Sequence, residues 1–425
     1  MKKRQITAIG AALFTVGLAA CGSSTTGSTA SKAVTLNVWL MSGSAPTSLV
    51  SSWNQQFESA HPGVTVKVSL QQWTGIVQKT DTTLATSQAP DVLEMGNTYV
   101  ASFAGTGGLA NLTSVSWPNQ STWLSGLKGA GYYNGHLYGV PYYAGDRIVI
   151  ANQYYFTKAG ITSAPTSMTD LLADCAKIKP LMPSGSSCIY IPGEYWYAMF
   201  AFLFGESGNG TNAIATQSGS TWTAQFSSSA DQTALSWIYT NLFQTGYDQA
   251  SATENDTTTA TNTVMQNGDA AMIVEPGWDY GSITASSAVV PWSFALPGYT
   301  SSSPMPTFLG GSNLGVAEKS QNKTLAEEYI QLVTGTQYQS EMATVGGVIP
   351  NTTSLLNLQV ANPPLNTAAL AAKTSWFTPQ SPNEATVESD NNYEDLLGAV
   401  LSGQMTASAA AAQYDPKISS ALTGS

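Results

Sequence analysis

Charged residues are scarce in this chain of 425 residues, since only 10% are Asp, Glu, Lys or Arg, against about 25% in an ordinary globular protein. Hydrophobic residues make up 43%, which is enough apolar surface to fold and excludes intrinsic disorder. The 15 basic residues are outnumbered by 26 acidic ones, for a formal net charge of −11. A nucleic-acid-binding surface requires the opposite sign and is excluded.

Histidine, cysteine and phosphate-binding motifs are also scarce. His61 and His136 are the only histidines, so a site with several histidine ligands is excluded. The sequence has no glycine-rich loop ending in Lys-Ser or Lys-Thr, and no cluster of Cys or His, so we predict no metal and no cofactor. Any acid–base chemistry is left to the carboxylates.

The amino terminus has the pattern of an export signal. Lys2, Lys3 and Arg4 precede an uncharged, mostly apolar run over 6–20, which predicts a secretory signal peptide over 1–20 and is shorter than the roughly 20 residues of a spanning helix. Its end, Leu-Ala-Ala-Cys at 18–21, resembles a bacterial lipobox, in which the cysteine receives a lipid. The alternative is an uncleaved anchor helix.

A Gly/Ser/Thr-rich tract follows at once, which is typical of a flexible tether rather than of a helix that continues. We therefore predict a tether over 21–32. The mature protein would lie outside the cytoplasm, attached to the outer face of the cell membrane only through the lipid on Cys21.

Export also changes the interpretation of the remaining cysteines. Cys175 and Cys188 are the only two thiols besides Cys21, and twelve residues lie between them. In an oxidising compartment we expect them to be bonded to each other. The alternative is two separate buried thiols.

Hydrophobic periodicity predicts an α/β fold. Apolar residues alternate over 34–39 and 64–70, as in strands, while Leu49, Trp53 and Phe57 recur at helical spacing between them. Ser/Thr-x-x-acid starts predict three further helices, with caps at Ser167, Ser228 and Thr324. The length favours two lobes, and because no linker composition separates them, we expect the chain to cross between them several times.

Five short segments, in this order along the chain, resemble the extracellular solute-binding proteins of carbohydrate ABC importers, the group that includes the maltodextrin-binding proteins. The segments are Ala-Pro-Asp-Val at 89–92, Asn-Gly-His-Leu-Tyr-Gly-Val-Pro at 134–141, Phe-x-x-Ala-Gly at 156–160, Asn-Gly-Asp-Ala-Ala-Met at 267–272 with Gly-Trp at 277–278, and Gly-Gly-Val-Ile-Pro at 346–350. The segments at 92–98, 141–147 and 310–314 also resemble an actinobacterial subgroup that includes binders of N,N′-diacetylchitobiose.

The resemblance implies a two-lobed periplasmic-binding-protein fold with interleaved lobes and a three-segment hinge. The first lobe would comprise 33–146 and 298–346, and the second 147–297 and 347–425. A monomeric receptor of this kind holds a di- or oligosaccharide in the cleft between its lobes and delivers it to ABC permease subunits.

A sugar presents flat C–H faces and a rim of hydroxyl groups, so a site needs aromatic rings and planar polar groups. In the family a Trp matching Trp278 stacks on the sugar, and the segment matching 194–196 brings a carboxylate and an aromatic ring to the cleft. The residues that we predict to bind ligand are Trp73, Asn97, Tyr143, Asp146, Arg147, Glu194, Tyr195, Trp196, Glu275, Trp278, Gly311, Ser312 and Trp376. For the aromatic residues the alternative is core packing, and for Asp146 and Arg147 it is a hinge salt bridge.

Two other classes of protein remain open at this stage. A secreted glycoside hydrolase needs two carboxylates across the scissile bond, and Asp146, Glu194 and Glu275 are enough to allow it. A structural or adhesive surface lipoprotein is the third class, but it leaves the ordered cleft motifs without a purpose. We predict a binding protein and not an enzyme.

Overall fold

The computed structural model describes residues 33–207, 214–255, 258–299, 303–359 and 365–424. The predicted signal peptide, the tether and Cys21 lie outside these ranges. The strands are β1 Val34–Met41, β2 Val64–Gln71, β3 Val92–Gly96, β4 Tyr132–Tyr133, β5 His136–Leu137, β6 Val140–Asn152, β7 Ser187–Tyr190, β8 Ala215–Ser218, β9 Thr221–Ala224, β10 Ala270–Pro276, β11 Pro291–Phe294, β12 Leu309–Val316 and β13 Ile349–Pro350.

Helices cover the faces of the sheet. They are α1 Thr47–Ala60, α2 Ile76–Leu84, α3 Val100–Gly105, α4 Ser125–Ala130, α5 Gln153–Lys158, α6 Met168–Ile178, α7 Trp196–Ser207, α8 Ser229–Ile238, α9 Thr258–Gln266, α10 Tyr280–Ile283, α11 Lys323–Val333, α12 Thr336–Thr344, α13 Leu365–Ala371, α14 Glu384–Ser389, α15 Asn392–Leu401 and α16 Ala407–Thr423. None of the helices in the described ranges is long and apolar enough to cross a membrane.

Local sequence accounts for the first elements. Leu36, Val38 and Leu40 alternate along β1 and are buried, as expected for a strand with one face in a core. Leu49, Trp53 and Phe57 are the buried face of α1, because residues four apart lie on one side of a helix.

Two of the three predicted helix caps are confirmed. The Ser167 hydroxyl accepts a hydrogen bond from the Asp170 amide at 3.1 Å, and Ser228 accepts one from Asp231 at 3.1 Å. The predicted cap at Thr324 is wrong, because α11 already begins at Lys323.

The residues just before α11 explain the earlier start. Ser320 donates to a carboxylate oxygen of Asp91 at 2.6 Å and accepts from the Asn322 amide at 3.0 Å. These hydrogen bonds connect Ser320 to Asp91, at the end of the β2–β3 connection, and hold residues 320–322 in a turn. The helix begins directly after this turn. The prediction used local sequence and could not include Asp91.

The main sheet has nine strands. Seven of them pair in the order β2-β1-β3-β12-β6-β10-β7, and β11 and β13 also pair with β6. Strands β2, β1 and β3 are mutually parallel, as is usual where helices connect the strands of an α/β fold. Strand β12 is antiparallel to β3 and to β6, and β10 is antiparallel to β6 but parallel to β7. The sheet as a whole is therefore mixed.

Strand β6 belongs to two lobes. Its first half pairs with β12 and β13, while its second half pairs with β10 and β11. The chain enters the second lobe along β6, returns to the first between β11 and β12, and enters the second again after β13. The predicted fold, two interleaved lobes joined by three segments, is confirmed.

Each lobe has its own core. One large cluster of buried side chains centres on α1, β1 and the residues of α11 and α12, and the other on α7, α8 and α15. Met305 and Phe308 pack in the second of these cores, although the sequence assigns 298–346 to the first lobe. The exact residue limits of the lobes stay a prediction.

Cys175 on α6 and Cys188 on β7 form a disulfide bond, with their Cα atoms 5.5 Å apart. The predicted pairing is confirmed. Both residues are fully buried in the core of the second lobe, so the bond joins a surface helix of this lobe to its sheet.

Replacing both cysteines by alanine should lower the free energy of unfolding by about 3 kcal/mol, because a short closed loop restricts the unfolded chain. Urea unfolding of wild type and the double variant measures the difference. A reductant should destabilise the wild type and leave the double variant unchanged. Equal midpoints for the two proteins without reductant would contradict the prediction.

Candidate functional site

A cleft of about 560 Å³ opens between the lobes at the carboxyl ends of several strands. Ligands of open α/β sheets bind at this kind of edge, because the loops that follow the strands converge there. The described residues that line it are Ser42, Gly43, Ser44, Trp73, Gly96, Asn97, Thr98, Tyr99, Tyr143, Arg147, Tyr197, Trp278, Phe308, Gly310, Gly311, Gly346, Gly347 and Val348.

The first lobe contributes the residues that follow its three parallel strands. Residues 42–44 follow β1, Trp73 follows β2, and Asn97 to Tyr99 form a single turn directly after β3. The Asn97 side-chain amide donates to the carbonyl of Leu309 at 2.7 Å, which fixes its orientation.

The second lobe contributes residues that follow β10 and β7. Trp278 lies on the turn after β10 and is 48% exposed, although its neighbours in the strand are buried. Tyr197 lies in the first turn of α7, the helix that follows β7.

The ring of Trp278 rests on a glycine. A Cβ atom on Gly145 would lie 1.6 Å from the Trp278 ring, so only glycine fits beneath this ring. Trp278 and Trp73 are 48% and 45% exposed. Both therefore leave aromatic surface open in the cleft, which favours stacking on a flat apolar ligand face.

Arg147 is held in a cage of aromatic rings. Its guanidinium carbon lies 4.7 Å from the centre of the Tyr197 ring, 5.1 Å from Phe308 and 5.3 Å from Tyr195. Its Nε donates to the Tyr195 hydroxyl at 2.8 Å. Burial disfavours the charge, but Tyr195, Tyr197 and Glu275 together outweigh it and raise the pKa of Arg147, so the side chain stays protonated.

Asp146 does not share the cleft with Arg147. The two are neighbours in β6, and successive side chains of a strand point to opposite faces. Asp146 is fully buried and accepts hydrogen bonds from Thr307 at 2.5 Å and from the Arg147 amide at 2.8 Å. The predicted carboxylate beside the guanidinium is therefore corrected to a buried group behind the cleft wall.

The segment before α7 also differs from the prediction. Trp196 is 3% exposed and packs between Tyr197 and Tyr393, while Tyr195 is buried beneath Arg147. Glu194 is half-buried near Gly398 and lies outside the lining. Because each residue of a helix is rotated by about 100° from the last, it is Tyr197 that lines the cleft.

Three further predicted residues are fully buried, namely Glu275, Ser312 and Trp376. Trp376 stacks on Phe204, with ring centres 4.7 Å apart, and so has no face left for a ligand. Glu275 lies behind Tyr195, whose hydroxyl is 3.4 Å from one of its carboxylate oxygens. In this structure these side chains support the cleft wall from behind.

The structure brings six of the predicted residues together in the lining: Trp73, Asn97, Tyr143, Arg147, Trp278 and Gly311. Gly311 has φ of 136°, and a Cβ atom there would lie 2.2 Å from the carbonyl oxygen of Tyr143. Glycine is therefore required for β12 to approach β6 so closely at this point.

Sequence reasoning missed the other twelve lining residues, which are 42–44, Gly96, Thr98, Tyr99, Tyr197, Phe308, Gly310 and 346–348. Residues 42–44 follow the predicted strand at 34–39, so the rule that ligands bind beyond strand ends could have found them. Phe308 precedes β12 in a segment without a local signal.

Glu94 on β3 was also missed. It is 4% exposed, and one carboxylate oxygen accepts from the Met41 amide and from the Ser44 hydroxyl, both at 2.8 Å. Burial raises its pKa to about 7. Glu94 thus fixes both ends of the 42–44 loop that borders the cleft.

A second cavity, of about 500 Å³, lies in the second lobe beside β8 and β9. Two of its three aromatic rings, Phe204 and Trp222, are 2% and 8% exposed and offer little surface to a ligand, and the third, Phe377, is half-buried. The interlobe cleft is the stronger candidate because its tryptophans are about half exposed.

Burial raises the pKa of Asp146 from 3.8 to about 7. Between these values the folded state binds more protons than the unfolded state, so a rise in pH lowers the free energy of unfolding, by at most about 1.4 kcal/mol per pH unit for one group. Asparagine does not ionise, so the Asp146→Asn variant should lack this contribution to the dependence of the free energy of unfolding on pH. Urea unfolding at pH 4, 5.5 and 7 measures it, and equal slopes for the two proteins would contradict the prediction.

A family model described as bacterial extracellular solute-binding protein matches residues 52–373. The diacetylchitobiose-binding protein DasA of Streptomyces coelicolor is 31% identical to this chain over 420 residues, which cover 96% of each protein.

Solved structures show the same fold. The GacH receptor of Streptomyces glaucescens, determined without ligand and with acarbose, has a TM-score of 0.74 at 21% identity, over 92% of this chain and 98% of its own. The maltose-binding protein MalE of Listeria monocytogenes, in complex with maltose, has a TM-score of 0.76 at 18% identity, over 92% and 98%.

Proposed function

The chain belongs to the bacterial extracellular solute-binding proteins, and on that premise we propose that it is the receptor of a carbohydrate ABC importer. It captures a di- or oligosaccharide in the interlobe cleft, closes over it by a hinge motion and delivers it to the permease subunits. No covalent bond is broken in this cycle.

The observation that carries the proposal is the pair of half-exposed tryptophans in the cleft. Trp278 and Trp73 are among the most exposed large hydrophobic side chains of the described residues. Leaving such surface in water is costly unless a ligand covers it. The C–H face of a pyranose is flat and apolar and fits an indole ring.

The relatives support the same class of ligand. The names and titles of the three proteins compared above refer to diacetylchitobiose, acarbose and maltose, respectively. DasA is similar to this chain over almost the full length of both, so the proposal covers the whole chain rather than one lobe.

The hydrolase alternative has little support from the cleft. A glycosidase needs two carboxylates that face the scissile bond, but the lining contributed by the described part of the chain contains no Asp or Glu. Asp146 and Glu275 are fully buried, and Glu194 lies outside the lining.

Export and anchoring complete the proposal. Residues 1–20 direct the chain out of the cytoplasm, Cys21 carries the lipid, and residues 21–32 act as the tether. The receptor then works as a monomer on the outer face of the cell membrane, next to its permease.

Calorimetry with a panel of di- and oligosaccharides tests the proposal. We expect binding with a dissociation constant on the order of 0.1 to 10 μM, near −8 kcal/mol. Trp278→Ala should lose about 1 to 3 kcal/mol of this, since that is the typical cost of removing an aromatic stacking partner.

Tyr154→Ala is a matched control, because Tyr154 is 44% exposed but lies outside the cleft. This variant should bind sugar with the affinity of wild type. Chromatography of the recovered ligand should return it unaltered, and solution scattering should show a more compact protein when sugar is bound. Released monosaccharide would favour the hydrolase, and an absence of binding across the panel would refute the receptor.

Cys21→Ser tests the anchor. The variant cannot receive the lipid, so in the native host it should leave the membrane fraction and appear in the soluble extracytoplasmic fraction, with unchanged sugar affinity. If the variant stays in the membrane fraction as wild type does, the lipid is not what attaches the protein.

A further inference from the structure

We propose that Tyr99 of the first lobe and Glu388 of the second form a bridge between the lobes that acid strengthens and alkali weakens, so that a proton helps to hold the cleft closed. The bridge itself is a property of the fold. Its effect on sugar binding rests on the proposed function and adds to that function a means of control by pH.

The two residues belong to different lobes. Tyr99 ends the turn after β3, and the helix that follows, α3, packs in the same core cluster as β3 through Val100 and Phe103. Glu388 lies on α14, whose Val387 is fully buried in the core of the second lobe. The Tyr99 hydroxyl donates to a carboxylate oxygen of Glu388 at 3.4 Å. This hydrogen bond therefore connects the lobes.

The lobes pack closely beside this hydrogen bond. A Cβ atom on Gly105, at the end of α3, would lie 2.5 Å from the Cβ atom of Pro382, and one on Gly129 of α4 would lie 2.3 Å from the Phe377 ring. The backbone of the first lobe thus touches the segment of the second lobe that leads into α14. The second carboxylate oxygen of Glu388, Oε1, is buried and accepts no hydrogen bond from the described residues.

The groups whose charge is coupled to that of Glu388 are acidic or phenolic. They are Tyr99 from the turn after β3, Tyr197 from α7, Glu384 from α14 itself, and Tyr393 and Glu394 from α15. On the opposite side of α14, Thr386 and Asp390 face a groove that they share with Lys417 of α16. Glu388 therefore lies near two other carboxylates, and a proton on it relieves the repulsion among them.

The protonation of Glu388 depends on whether the lobes are joined. Burial and the charge of Glu394 raise the pKa of Glu388 to about 7, and the hydrogen bond from Tyr99 lowers this pKa by less. When the lobes separate, water reaches Glu388 and its pKa falls toward the ordinary 4.5. Glu388 therefore binds a proton more tightly while the lobes are joined, and a lower pH favours the joined arrangement.

Tyr99 stays the donor across this range of pH. Burial and the charge of Glu388 raise the pKa of Tyr99 to about 12, so the phenol keeps its proton. The proton that controls the bridge is therefore the one on Glu388.

The bridge adjoins the cleft. Tyr99 lines the cleft from the first lobe and Tyr197 from the second, and both are coupled to the charge of Glu388. A sugar held between these rings needs lobes that stay together, and the apparent affinity of a receptor rises with the fraction of it that is already in the binding arrangement. Sugar should therefore bind more tightly at acidic pH, and a rise in pH should favour its release.

Solution scattering of the sugar-free protein tests the bridge directly. Wild type should have a smaller radius of gyration at pH 5.5 than at pH 8. Glu388→Gln keeps the shape of the protonated side chain and does not ionise. Its radius should therefore be the same at both pH values and close to that of wild type at pH 5.5.

Calorimetry with N,N′-diacetylchitobiose and with maltose, at the same two pH values, tests the effect on binding. Wild type should bind at least one of these sugars about threefold or more tightly at pH 5.5 than at pH 8, the limit for one proton being about tenfold per pH unit. Glu388→Gln should remove most of this difference, because it cannot lose a proton as the pH rises.

Two further variants separate the bridge from a general effect on folding. Tyr99→Phe keeps the ring in the cleft and removes the donor. It should weaken binding while Glu388 is present but have little further effect in Glu388→Ala, because the two changes remove one contact. Asp390→Asn is the matched control, since it removes an exposed carboxylate at the end of α14 that faces away from Tyr99. This variant should keep the pH dependence of wild type.

The outcomes are distinguishable. A radius of wild type that does not change with pH, or tighter binding at pH 8, overturns the inference and leaves the sugar receptor standing. A pH dependence that persists in Glu388→Gln belongs to other buried carboxylates, such as Glu94 or Asp146, and also overturns the inference. If neither sugar binds, scattering alone decides whether the bridge exists, and the wider panel of saccharides decides the proposed function.

Discussion

Strand β6 controls the geometry of the cleft because its backbone is hydrogen bonded to the sheets of both lobes. All thirteen of its residues are buried, so the strand cannot shift register without disrupting two cores. Tyr143, Gly145 and Arg147 alternate along it and therefore lie on one face. The strand therefore fixes the relative positions of the Tyr143 ring, of Gly145 beneath the Trp278 ring, and of Arg147.

The elements that local sequence determines were predicted correctly. β1, α1 and β2 follow from periodicity, the caps at Ser167 and Ser228 follow from side chains that bond within one turn, and the Cys175–Cys188 pair follows from counting. The start of α11 depends on Asp91, more than two hundred positions earlier, and no local signal contains it. Much of the fold could therefore be predicted, and the exceptions occur where distant residues determine a local boundary.

In the candidate site, too, the sequence predicts some positions and not others. The structure places the predicted residues Trp278, Asn97 and Arg147 in the cleft lining, and their roles in binding stay predictions. Trp196 and Trp376 are buried instead, because composition and motif do not tell which side of an element faces the cleft. The position of Asp146 could have been predicted from the sequence, because the side chains of two neighbours in one strand point to opposite faces and cannot both face the same cleft.

In the receptor cycle proposed above, the cleft residues would divide between the moving parts. Trp278 rests on Gly145 of the shared strand, and Arg147 is enclosed by Tyr195, Tyr197 and Phe308, so these two residues would stay together. Trp73 follows β2, the strand at the edge of the sheet in the first lobe, and would move with that lobe. A ligand held between Trp278 and Trp73 would therefore contact both moving parts, and each contact that it gains only in the closed arrangement would shift the equilibrium toward that arrangement.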